Sequence, residues 1–110
     1  MYNIRNFVFF QDVSSAGESN VWNNPNKGSV MTLEVQGSGT LDLEIKGVVN
    51  VEYANPTYTP IAAIDMSTLT KAVKITKAGI YSFGVDGIDK IKAVLNSVSG
   101  TFTVFAKVGD

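Results

Sequence analysis

Hydrophobic and polar residues alternate along much of this chain with a period of two. Leu41, Leu43 and Ile45 alternate with Asp42, Glu44 and Lys46, and Met31, Leu33 and Val35 alternate with Thr32, Glu34 and Gln36. Side chains two apart share one face of a strand, so each segment has a dry face and a wet one. Gly37-Ser38-Gly39 between them has the length and composition of a tight connection, which predicts a β-hairpin over residues 30–46. After Gly47 the alternation resumes with Val49, Val51 and Tyr53 against Asn50 and Glu52, which allows residues 41–53 to form one long strand kinked at the glycine. Asn55-Pro56 opens a loop, and Ile61–Ile64 reads as a short strand after Pro60.

Residues 65–72 read equally as one turn of helix or a loop. Short strands are predicted over residues 73–75 and 80–85, with a turn at Gly79 between them. Asp86-Gly87 is a turn dipeptide, and residues 88–96 alternate again through Ile91, Ala93 and Leu95. Ser99-Gly100 then turns the chain into a last strand, Phe102 to Val108. Eight or nine short strands separated by regular turns predict an all-β fold, an antiparallel β-sandwich of jelly-roll type. Residues 1–29 read as an N-terminal strand and extended loop or arm belonging to the same unit, and residues 30–110 as the β-sandwich domain.

Composition adds one tension. The chain of 110 residues is 45% hydrophobic and only 17% charged, on the apolar side for a small domain with much surface to keep wet. The apolar excess concentrates at two places. Ile4 to Phe10 is apolar on both sides, with Phe7 and Phe9 on one and Val8 and Phe10 on the other. The last strand repeats this through Phe102, Val104 and Phe105. An uncovered edge of this kind aggregates unless paired, so a contact between subunits is expected through Phe7, Phe9, Phe10 and Phe105.

The chemistry on offer is sparse. There is no cysteine and no histidine, which removes thiolate chemistry, the usual triads and most zinc sites. The carboxylates Glu34, Asp42, Glu44 and Glu52 fall at solvent-facing strand positions, a poor start for a glycosidase-like pair. Asp65, Asp86 and Asp89 lack the density of a calcium loop, and Gly37-Ser38-Gly39 precedes no helix that could cradle phosphate. No enzyme, metal or cofactor is expected. The net charge is −1 and the lysines are scattered, so nucleic acid is not an expected partner. The four-residue apolar run Phe7–Phe10 is too short for a secretory signal or a membrane span. Trp22, Tyr53 and Tyr58 lie in or beside predicted loops, where they plug the core or, in the alternative, stack on a sugar or receptor.

Residues 79–109, GIYSFGVDGIDKIKAVLNSVSGTFTVFAKVG, resemble a pattern of small bacteriophage virion proteins of head-decoration or tail type. The matching pieces are the Val85-Asp86-Gly87 turn, alternate Lys90 and Lys92, the Ser99-Gly100 turn, and the final strand Thr101 to Val108. SGTLDLEIKGVVN, residues 38–50, is similar to the earlier strand pair of the same proteins. The resemblance implies a non-enzymatic structural protein on the virion surface, made in the host bacterial cytoplasm without a signal peptide. Its implied partners are further copies of itself, taken as a trimer, and a larger assembly such as a capsid or tail. Neither nucleic acid nor membrane is among them.

Overall fold

The computed structural model describes residues 4–23, 29–49 and 57–109, without the side chains of residues 4 and 5. Its strands are β1 (Ile4–Val13), β2 (Gly17–Glu18), β3 (Trp22–Asn23), β4 (Val30–Val48), β5 (Thr59–Ile61), β6 (Ala63–Asp65), β7 (Thr70–Ala72), β8 (Lys74–Ile75), β9 (Gly79–Gly84) and β10 (Lys90–Gly109). Every pairing is antiparallel, and the described residues contain no helix. The all-β antiparallel expectation holds, and the architecture fits a β-sandwich. Its strands are not uniformly short, because β4 and β10 run 19 and 20 residues.

These two strands organise the molecule. They pair along their whole length, from Lys90 opposite Val48 to Gly109 opposite Val30. The predicted hairpin over residues 30–46 is therefore corrected: Met31–Val35 and Leu41–Ile45 lie end to end in one strand, and each half pairs with β10. The predicted turn at Ser99-Gly100 likewise lies inside a continuous strand. What looked like two turns is one bend, made where Gly39 faces Gly100 across the ladder. Both have positive φ, 118° and 105°, in a region that a side chain disfavours.

On one side of the bend, β1 flanks β10 and β9 flanks β4, giving the order β1-β10-β4-β9-β6-β7. On the other side, β2 and β3 pair with β10, and β5 and β8 pair with β4. Met31, Leu33, Val35, Phe102, Val104 and Val108 from the first half share a single core with Leu43, Ile45, Ile91 and Leu95 from the second. The bent ribbon thus closes on itself as two layers. The short molecular axis of 23 Å suits two sheets about 10 Å apart with their outward side chains.

Closure requires apolar residues of both halves to face inward. In β4 the buried positions stay odd-numbered through the bend. In β10 they switch from odd (Ile91, Ala93, Leu95) to even (Phe102, Val104, Ala106, Val108). The switch occurs at Asn96, an extra residue between the pairs Leu95–Leu43 and Ser97–Asp42. A second bulge, at Phe9, explains the two-sided apolar pattern of β1. It lets Phe7, Phe9 and Phe10 all reach the core, Phe9 fully and its neighbours in part, and only Val8 faces out. Residues read as a loop between Ser14 and Asn26 contribute β2 and β3, which pair with β10 at Val94–Leu95 and Lys90–Ile91.

Within residues 65–72 the chain makes one helix-like turn, Leu69 N–H to the Asp65 carbonyl at 2.6 Å, set between two short strands. Met66–Leu69 is the turn of a β6–β7 hairpin. Asp65, the one buried charged residue among those described, organises it. Its Oδ1 accepts the Ser67 backbone N–H at 2.9 Å and the Ser67 hydroxyl at 2.7 Å. These bonds hold the carboxyl below its ordinary pKa, with Lys77 assisting at 3.9 Å. A depressed folded-state pKa contributes stability above the ordinary aspartate range, and that stability is lost as pH falls through the folded value. The melting temperature of Asp65→Asn between about pH 5 and pH 2 is expected to fall less steeply than that of the wild type.

Candidate interaction surface

The two outward faces of the sandwich differ in chemistry. On the layer containing β2, β3, β5 and β8, two lysines are paired with carboxylates within the chain. Lys74 Nζ lies 3.1 Å from Asp42 Oδ2, and Lys92 Nζ lies 2.7 Å from Glu18 Oε1. Asn96 donates to Glu44 at 2.8 Å and to Asp42 at 3.3 Å. The Lys92 ammonium also sits 4.3 Å from the centre of the Tyr58 ring. The hydrogen bonds from Lys92 and Lys74 draw the Glu18 and Asp42 carboxyls below their ordinary values.

The outer face of the other layer has no such lattice. The register aligns Val8, Phe105, Glu34 and Ile80 in one row across β1, β10, β4 and β9. Val8 is 49% exposed and Ile80 47%, with Phe105 half-buried between Val8 and Glu34. Together with Thr32 and Lys107 they line a groove of about 540 Å³. Val30 and Ile64 extend the apolar surface along neighbouring rows. Among the described residues, Glu34 accepts only a Gln36 amide hydrogen bond, at 3.2 Å, and neither Glu34 nor Lys107 forms an ion pair.

Of the four phenylalanines expected at an interface, Phe7 and Phe105 both line the groove. Phe7 also contacts Phe9 edge-on at 4.9 Å, and Phe9 and Phe10 pack within or against the protein's own core. Sequence reasoning missed Ile80 and Val8 as exposed partners of Phe105, because only the cross-strand register brings them into line. Of the aromatic residues considered for sugar stacking, Trp22 is 5% exposed and part of the core, and Tyr58 is covered by Lys92. Tyr53 falls outside the described residues. Asp86 lies in the turn before β10 and Asp89 beside it, and the described residues contain no cluster of three groups able to hold a metal ion.

No known protein family and no curated protein matches the sequence. Solved structures do match. The SPBc2 prophage-derived protein YomS superposes with a TM-score of 0.89 at 17% identity, over 100% of this chain and 96% of that one. The PBSX exported protein XepA gives 0.89 at 20% identity over 99% of this chain. This chain spans only 38% of XepA's length, so the same fold also occurs there as part of a larger chain. At these identities the likeness is one of fold. It agrees with the phage-protein resemblance at the level of architecture.

Proposed function

We propose that this chain is a non-enzymatic structural protein of a phage particle, a capsid decoration protein, which acts by adhesion to further copies and to the particle surface. The observation that carries this reading is the contrast between the two faces. One pairs Lys74 with Asp42 and Lys92 with Glu18, and the other leaves Val8, Phe105 and Ile80 in a row around an open groove. A sheet face of that kind is stable in water when something covers it. The fold shared with a prophage-derived protein supports the phage setting. The dispersed, ion-paired carboxylates of the opposite face support a role without catalysis. The reading also places the protein on the virion surface after synthesis in the host cytoplasm. Among the described residues, Trp22 lies in the core and Lys92 sits over the Tyr58 ring, so neither supports the sugar- or receptor-binding alternative.

The test is particle composition. Particles purified through a density gradient are expected to contain this chain in many copies, with matching density on the capsid by electron cryo-microscopy. Recovery only from the particle-free fraction would overturn the proposal.

A further inference from the structure

The groove holds one carboxylate and one ammonium that do not pair with each other. Glu34 is half-buried between Phe105 and Ile80 in the apolar row. Lys107 stands on the next strand, one row along, opposite Thr32. Neither has an ion-pair partner among the described residues, whereas Lys74 and Lys92 on the other side of the sandwich have theirs. A carboxylate set among apolar groups is costly unless an opposite charge reaches it.

A second copy of the same face can supply that charge. When two identical faces meet about a two-fold axis lying between them, Glu34 on the second copy's Lys107 also places Lys107 on the second copy's Glu34. That condition fixes the axis, and the register then dictates the other contacts. With strands ~4.8 Å apart and residues ~3.4 Å apart along them, the axis runs close to the diagonal from Phe105 to Thr32. Phe105 therefore meets its own counterpart. Ile80 falls on the second copy's Val30 and Val30 on its Ile80, while Val8 falls beside Phe105. At the rim, Asn6 comes opposite Gln36. One operation thus pairs both charges and covers the exposed Val8, Val30 and Ile80 together. The strands of the two copies cross at roughly 70°, near the orthogonal class of sheet packing. The broad side of the molecule, 36 × 34 Å, leaves room for the ~800 Å² per partner that a stable interface buries.

We infer that this face packs on the same face of a second copy about a two-fold axis, with Glu34 of each copy paired to Lys107 of the other. This rests on the adhesive reading above and names the partner of that face. The contact is isologous, so it closes at two copies.

Analytical ultracentrifugation of the whole chain tests this. The wild type is expected to form a dimer in the micromolar range and nothing larger. Glu34→Lys and Lys107→Glu each set like charges against one another twice, and each alone is expected to weaken the dimer ~10-fold or more. Mixed one to one, these two variants are expected to dimerise with each other, because both contacts are then between opposite charges. The double variant is expected to dimerise as the wild type does. Pairing of Glu34 with Lys107 inside one chain would restore the double variant and not the mixture. Ile80→Asp, at an exposed position, is expected to weaken the dimer while melting close to the wild type. A wild type that stays monomeric, or a mixture no tighter than its components, overturns the inference. A monomer still found on particles refutes this contact and leaves the virion role standing. A dimer absent from particles does the reverse.

Discussion

Replacing Gly39 by alanine is expected to destabilise the protein by ~3 kcal/mol or more, a large share of what a domain this size typically has. The added Cβ would overlap the backbone carbonyl oxygen of Ser99 on the paired strand, and the φ of 118° is itself unfavourable for any side chain. The obstructing atom is backbone, held in the central ladder between Gly39 and Gly100, so it cannot yield as a flexible side chain would. Gly17→Ala is the control: its Cβ would meet nothing within 4 Å, and its φ is not positive. Urea denaturation followed by circular dichroism should show a much lower midpoint for Gly39→Ala and a nearly unchanged one for Gly17→Ala. Similar midpoints for Gly39→Ala and the wild type would mean that the bend is not where the ribbon folds over.

The same glycines show where reading the sequence succeeds and where it stops. Alternation at Met31–Val35, Leu41–Ile45 and Ile91–Leu95 identified strands and their buried faces, because period two follows from the geometry of one extended segment. It carries no information about what happens between segments. Gly-Ser-Gly and Ser-Gly fit a reversal and a bend equally well, since both need the positive φ that glycine supplies. The decision belongs to the partner strand, as Gly39 and Gly100 come together only when two segments 61 residues apart pair. Single-segment patterns cannot supply that. Residues 65–72 differ: a turn was read there, but not the β6–β7 pairing around it, and Leu69 occupies a positive-φ position where a glycine would have marked a hairpin.

The surface was legible only in part. Phe105 was identifiable because the last strand is apolar on both faces. The N-terminal phenylalanines divide: Phe7 also lines the groove, while the bulge at Phe9 turns Phe9 and Phe10 toward the core. A bulge changes face assignment without leaving a mark in composition. Trp22 fills the core as one of its two readings had it, but the strand that carries it was missed: most of the surrounding residues are polar and suggest a loop, yet β3 pairs with Ile91 and delivers the ring inward.

Deleting Asn96 and Ser97 together is expected to abolish the native fold, whereas deleting Asn96 alone is expected to keep it. Asn96 is the extra residue of the bulge, so without it Leu95 opposite Leu43 is followed directly by Ser97 opposite Asp42, and every later pair of the ladder stays as it is. Its side chain makes only exposed hydrogen bonds to Asp42 and Glu44, so little is lost with it. Removing the second residue moves residues 98–109 by one against β4, and a one-residue shift sends every side chain to the opposite face. Phe102, Val104, Ala106 and Val108 would point to solvent, and Thr103, Phe105 and Lys107 would point into the core. Losing the burial of Phe102, Val104 and Val108 alone forfeits ~5–9 kcal/mol, before the cost of burying a lysine. Near-UV circular dichroism of the tyrosines and Trp22 should show native packing in the single deletion and its loss in the double one. A double deletion with a native near-UV spectrum would show that the glycine bend, and not the residue count at the bulge, sets the face of the last strand.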